Sequence, residues 1–497
     1  MKISHLIACG LLTLAGISDG FAQTVILKDA KVSIEANDHE LTDVLAAFAR
    51  YGIEVNIDPG IKAKVKGRVV DADLEDELDR LLSGYGHVTK WEMVEGPLGA
   101  FPRLARIDVY RVGYHHKLQP ILKDGQLFEV MVGPDGVAYA KNEFLIGMKK
   151  GTTLAQFKNL LASVNGAVAD SIPGRGVYRI KLPEGSNVPA VIAQLENHPN
   201  VSAVEPNYVT DTGEPGQTLV SENPDAGAKT VTPLLAKEGA SLVAVLDTGL
   251  SADVPMGDLI KGSLDATQPG TPIADSSGHG TQMAMIASGM IQPSSAHASD
   301  AQGIPLVAIK AFDAEGNTTN FSIMESIAYA QEQNARVLSL SWGSPTDSRF
   351  LEDAIDAARE ANMFVVAAAG NEPDGQVIYP AGYDGVIAVA ALGQDGSLWE
   401  NSNYGSFVDL AAPGHAEFPV GHNGPAGYYA GTSIATAYVA GAISRYLTAH
   451  PAATEAQVMQ ALNGSLTDAG PDGTDSRYGK GVLDDAAMQK FLGTSNP

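Results

Sequence analysis

The chain has 497 residues, too many for one hydrophobic core and enough for two to four domains. Hydrophobic residues make up 44% and charged residues 18%, with a mean hydropathy of -0.01, a globular balance that excludes a channel or multispan transporter. Lys and Arg total 33 against 58 Asp and Glu, so the formal charge is -25 and the pI about 4.7, which argues against binding nucleic acid through phosphate neutralisation.

Residues 1–5 carry Lys2, residues 6–17 are an apolar run, and Gly20-Phe21-Ala22 sets small residues at the two cleavage-determining positions. This pattern predicts a signal peptide over 1–22, cut before Gln23, and export to the periplasm or the medium. The run is too short for a bilayer span and no later stretch reaches roughly 18 consecutive apolar residues, so no transmembrane span is expected in the mature form. Cys9, the only cysteine, lies inside the run, which removes disulfides and thiol chemistry from the mature chain. Leu6-Ile7-Ala8-Cys9 resembles a lipoprotein box but leaves almost no apolar segment ahead of it.

Residues 31–94 predict a small α+β domain. Val32-Ser33-Ile34 alternates like a strand, Leu41, Val44, Leu45 and Phe48 fall at helical spacing before Gly52, and 53–57 and 65–70 alternate again. Leu74, Leu78, Leu81 and Leu82 mark a second helix over 73–83, and 88–94 another strand. Through Leu41-Thr42-Asp43-Val44-Leu45 and Asp58-Pro59 the domain resembles the short N-terminal domain of secretins and TonB-dependent receptors. That resemblance implies docking to an envelope partner; a folding or solubility appendage is the alternative.

Residues 142–208 follow the order strand, helix, strand, strand, helix, strand over 144–148, 153–164, 167–172, 177–182, 188–197 and 201–204, which suits a ferredoxin-like unit. The segment looks like the propeptide of subtilisin-type proteases, with Val204-Glu205-Pro206-Asn207-Tyr208 where that family's prodomain ends. Residues 209–230, rich in Gly, Pro, Ser, Thr and acids, predict an exposed linker with an accessible processing site.

In the third module, 231–492, apolar runs at 242–246, 306–312, 337–340, 364–369 and 386–391 alternate with helices such as 322–333 and 351–361. Runs buried on both faces with crossover helices indicate an α/β fold, a mainly parallel sheet sandwiched by helices. Residues 225–497 hold 30 acidic against 11 basic side chains. That excess suits hard cations such as a structural calcium, but no EF-hand spacing is present and a solvated acidic surface is the plainer reading.

Asp247-Thr248-Gly249 ends a strand, His279 precedes a helix in Gly278-His279-Gly280-Thr281, and Ser433 opens one in Gly431-Thr432-Ser433. Each motif alone is weak: Asp211-Thr212-Gly213 repeats the first inside the linker, and Gly-Thr-Ser often only caps a helix. Asp, His and Ser in this order on an α/β background match one recurring solution to nucleophilic acyl transfer. A serine hydroxyl needs His279 to take its proton and Asp247 to orient the ring.

With these motifs the module resembles a subtilisin-type serine protease, and Ala369-Gly370-Asn371 and the closing 479–484 also fit. The resemblance implies an exported endopeptidase acting on proteins and peptides through an acyl-enzyme, made as a zymogen that removes its own propeptide, with no cofactor in the chemistry. It implies oxyanion donors in the Asn371 amide and the Ser433 N–H, and substrate binding along Ser341-Trp342-Gly343, with Trp342 as subsite wall or core residue. Tyr379-Pro380 would set Ile378 at the base of the primary pocket and favour apolar substrate side chains. The chain departs from the family at Ile434, Ala437 and Tyr438, where Met, Pro and His are usual. Two alternatives are a silent protease-like scaffold that binds a partner through 31–94, and paired Asp-Thr-Gly aspartic chemistry, which the hydrophilic setting of Asp211 disfavours.

Overall fold

In the computed structural model the apolar runs of the third module form a seven-stranded sheet in the order Ile260–Asp265, Leu306–Lys310, Val243–Asp247, Val337–Leu340, Phe364–Ala368, Ile387–Leu392, Leu410–Pro413, every pairing parallel. The structure describes residues 24–28, 31–49, 51, 53–96, 98–111, 118–121, 128–183, 185–211, 218–223, 231–267, 271–296, 302–314 and 316–493. The expected signal peptide with Cys9, Gly52, and linker positions 212–217 and 224–230 lie outside them.

The inner strands are continuous apolar runs because both faces are covered. Val243 and Val245 pack with the helices His279–Ser288 and Thr432–Ala449 on one face, while Ala244 and Leu246 pack with Asn320–Glu332 and Arg349–Glu360 on the other. The two buried helices cross closely: a Cβ on Gly441 would meet the Ala287 carbonyl at 2.9 Å. The outer helices start earlier than the hydrophobic pattern predicts, because the side chains of Thr319 and Ser348 accept from the N–H groups of Ser322 and Leu351 and cap them. The fold class is the expected one.

The prodomain-like unit is an antiparallel sheet in the order Ala167–Ile172, Val177–Lys181, Ala138–Met148, Val201–Asp211, crossed by the helices Leu154–Val164 and Val188–Leu195. Its last strand runs well past residue 204. Val209, Thr210 and Asp211 pair antiparallel with Thr319, Thr318 and Asn317 of the third module, so the sheet continues from one unit into the other.

The N-terminal module holds two sheets. Thr24–Lys28, Lys31–Glu40 and Lys64–Asp73 form one; Gly86–Gly96, Gly99–Tyr110, Glu54–Ile57 and Gln119–Pro120 form the other. The helices Leu41–Ala49 and Leu74–Leu81 bury their leucines and Phe48 against them. The strand expected over 88–94 is one arm of a long hairpin whose other arm ends at Tyr110. No helix of the described residues is long and apolar enough to cross a membrane.

Candidate active site

Asp247 sits at the carboxyl end of its strand, where open parallel sheets collect reacting groups. The chain then turns away sharply: Gly249 has φ +123°, and a Cβ there would meet the Ile273 carbonyl at 2.6 Å. His279 opens the His279–Ser288 helix behind Gly278, which has φ +88° and leaves no room for a side chain, since a Cβ would fall 2.0 Å from the Gly421 carbonyl.

These two turns bring the carboxylate and imidazole together. His279 Nδ1 lies 2.7 Å from Asp247 Oδ1, which also accepts from the Thr248 N–H at 2.8 Å. Both side chains are almost wholly buried. His279 Nε2 and Asp247 Oδ2 have no hydrogen-bond partner. Burial opposes the imidazolium, but the touching Asp247 carboxylate and nearby Asp275 outweigh it and hold the His279 pKa above its ordinary value.

Asp275 was not among the expected site residues. It accepts from Thr248 Oγ1, the N–H groups of Ser277, Gly278 and Thr281, and Thr281 Oγ1, at 2.5 to 3.1 Å. Burial pushes its pKa up, but these donors win and keep the carboxylate ionised below its ordinary value. It therefore pins the turn after Asp247 to the start of the histidine helix. His422 is a second unforeseen neighbour: its ring centroid lies 5.0 Å from that of His279, and burial, then the His279 charge, push its pKa down to about 3. A lone Asp or His in a loop carries no sequence signal of such a role.

Ser433 is in the first turn of the Thr432–Ala449 helix, and its Oγ donates to the Ser341 carbonyl at 3.1 Å, while Ser341 Oγ donates to the Ser433 carbonyl at 3.2 Å. The hydroxyl is thus turned to Ser341 and not to His279. Such hydrogen bonds are often made only once substrate is bound. Asn371 Oδ1 accepts from the Thr432 N–H and hydroxyl, both at 2.8 Å, which fixes the carboxamide at the helix start and leaves Nδ2 as its donor end.

Of the two placements expected for Trp342, the structure shows it in the core. Its side chain is 4% exposed, its Nε1 donates to the Leu246 carbonyl at 3.1 Å, and it packs edge-on against Phe312 in the sheet's core. The ring packs with Leu246 of the strand Val243–Asp247 and with the outer helices of that face. Gly343 and Gly370 flank Ile378: a Cβ on either would come within 2.3 and 3.3 Å of its side chain.

Two segments ahead of the third module pair with strands of that module. Val209–Asp211 pairs with Asn317–Thr319, and Thr218–Glu222 pairs with Gly427–Ala430, close before Ser433. Glu205 accepts from Ser348 Oγ and from the Arg349 N–H at 3.2 Å, at the start of the Arg349–Glu360 helix. Asn207 Oδ1 accepts from the Phe321 N–H at 3.1 Å, at the start of the Asn320–Glu332 helix.

Residues 239–481 match the Subtilase family, and residues 129–207 match the fervidolysin N-terminal prodomain. A thermophilic serine proteinase of Bacillus sp. (strain AK1) is 31% identical over 359 residues, 71% of this chain and 88% of that protein. Subtilisin E of Bacillus subtilis (strain 168) is 29% identical, over 70% of this chain and 90% of that protein. The crystal structure of fervidolysin from Fervidobacterium pennivorans, described as a keratinolytic enzyme related to subtilisin, superposes with a TM-score of 0.58 at 24% identity. That match covers 76% of this chain but 64% of fervidolysin, so the chain spans just under two thirds of it.

Proposed function

Since the chain belongs to the subtilase family and is a serine endopeptidase made with a prodomain, we propose that Asp247, His279 and Ser433 are its catalytic triad. Support comes above all from the buried 2.7 Å Asp247–His279 pair, whose histidine opens a helix that packs against the helix carrying Ser433 in its first turn. In the reaction His279 Nε2 takes the proton of Ser433 Oγ as the Oγ–carbon bond forms, and Asp247 stabilises the imidazolium. The oxyanion is met by Asn371 Nδ2 and the Ser433 N–H, aided by the helix N-terminus. The imidazolium then gives its proton to the leaving amine, and water, activated by the same ring, releases the acyl group.

The backbone of Ser341, Trp342 and Gly343 is read as one edge gripping an extended peptide, with Ile378 between its two glycines selecting apolar side chains. The chemistry calls for no cofactor. Among the described residues no group of three or more His, Cys, Asp or Glu is gathered as for a metal ion, so a structural calcium is supported by acidic charge alone; a fall in Tm on chelation would supply the missing support.

Processing is read as falling between Asp211 and Thr218, a reading supported by the pairing of Val209–Asp211 with Asn317–Thr319 and of Thr218–Glu222 with Gly427–Ala430, the strand just before Ser433 in the chain. The mature N-terminus is accordingly expected between residues 212 and 218. Export through the 1–22 signal has the Lys2 start, the apolar run and the small residues at Gly20 and Ala22 as its support, and fractionation would separate periplasm from medium. An envelope partner for 31–94 has the secretin-like resemblance as its support, and deletion of that module should then abolish co-fractionation with envelope. The central test is labelling with a fluorophosphonate: the mature enzyme should be labelled at Ser433 and Ser433→Ala should be neither labelled nor processed. Labelling elsewhere, or processing of the purified variant, would overturn this reading.

A further inference from the structure

The hairpin of Gly86–Gly96 and Gly99–Tyr110 does not end in solvent. Val94 and Phe101 enter the core of the neighbouring unit with Phe144, Ile146, Leu160 and Leu161. The Phe101 ring meets Phe157 and Tyr178 edge-on, each with centroids 5.8 Å apart, and those two lie 4.6 Å from each other. Tyr178 is wholly buried, and its hydroxyl accepts from the hairpin's Leu98 N–H at 3.0 Å. A Cβ on Gly96 would fall 2.5 Å from the Tyr178 ring, so the hairpin backbone rests directly on the aromatic face.

Polar contacts continue the seam. Ser171 Oγ donates to the Glu95 carbonyl at 2.5 Å, and Arg103 donates to the Ala169 carbonyl at 2.9 Å and to Asp170 at 3.1 Å. Asp170 also lies 3.7 Å from Arg179, whose guanidinium stands over Phe321 of the protease at 4.9 Å from the ring centroid. Among the described residues, those of 24–121 enter two cores, their own and that of the prodomain, and none of the protease's.

A free-standing unit of roughly 70 residues buries too little surface for much stability. We propose that the N-terminal module is a structural part of the inhibitor: its hairpin completes the prodomain core, and the two modules dock on the protease, and leave it, as one body. This goes beyond the protease reading and depends on it only for the release step.

The test uses the full chain. In Ser433→Ala precursor, hydrogen exchange is compared with and without Phe101→Ala or Tyr178→Phe. Phe101→Ala should cost at least tenfold protection in Phe144–Met148 positions and in Val177–Lys181, with Val243–Asp247 and Phe364–Ala368 unchanged. Tyr178→Phe should give a smaller loss at the same positions, and decides the matter alone if Phe101→Ala yields no soluble protein. In the chain with Ser433 intact, Phe101→Ala should shorten the delay before full activity at least tenfold. Loss of protection confined to 93–103, with prodomain strands and delay as in wild type, would overturn the proposal. A wild-type chain that never gains activity would instead defeat the protease reading, leaving the exchange result to judge this one.

Discussion

Glu205→Gln tests how the prodomain is held. The Glu205 carboxyl is mostly buried at the start of the Arg349–Glu360 helix, and burial, only partly offset by the donors Ser348 and Arg349, raises its pKa from 4.5 to about 7. That displacement corresponds to about 3 kcal/mol. Its sign follows from which state binds the proton more tightly: the docked carboxyl does, so the contribution to docking is complete below about pH 4.5 and is lost as pH rises through about 7. Between pH 8 and pH 5 this group alone should tighten docking by roughly 70-fold. Glu325, on the protease helix facing the prodomain, is raised to about 7 as well, by burial first and Asp170 second, and acts in the same direction. Glutamine keeps the hydrogen-bonding shape of the neutral acid, so Glu205→Gln should hold tightly at pH 8 and show about half the wild-type pH dependence on a logarithmic scale. The assay is the fraction of processed propeptide released, read by size exclusion at pH 5, 6, 7 and 8, which keeps the pH dependence of hydrolysis out of the result. An unchanged slope in the variant, or tighter docking of wild type at alkaline pH, would refute the reasoning.

Asp275→Asn removes one of the charges that raise the His279 pKa, so the acid limb of kcat/KM should move to lower pH, while the plateau falls from the loosened turn. Asp247→Asn should lower kcat by about 10^3- to 10^4-fold with little change in KM, measured on a peptide ester. Gly343→Ala would push a methyl into the Ile378 side chain, and a rise in KM of at least tenfold for large apolar substrates is expected; an unchanged KM would separate Ile378 from substrate selection. Because Ile434 stands beside the serine, peroxide should inactivate the enzyme slowly, and oxidation at a neighbour of Ser433 with rapid loss of activity would contradict this.

Sequence made the parallel sheet legible because strands buried on both faces are uninterrupted apolar runs, as in Val243–Asp247 and Phe364–Ala368. It hid the length of Val201–Asp211, whose last residues are polar and are held by a strand more than a hundred residues later. The second hairpin arm was hidden similarly, since Pro102, Arg103 and Arg106 mask its alternation. Among site residues, Asp247 and His279 announced themselves through glycines that their turns require. Trp342 stayed ambiguous because strand periodicity does not say which side of a cleft a ring will take, and Asp275 because its role lies entirely in the donors that fold around it.

The shared sheet of Val209–Asp211 and Asn317–Thr319 has a consequence for latency. While the chain is intact, a short tether keeps the blocking strand at an effective concentration of about millimolar. A single cut turns that intramolecular equilibrium into a bimolecular one, so the cleaved protein stays silent where it is crowded and wakes on dilution.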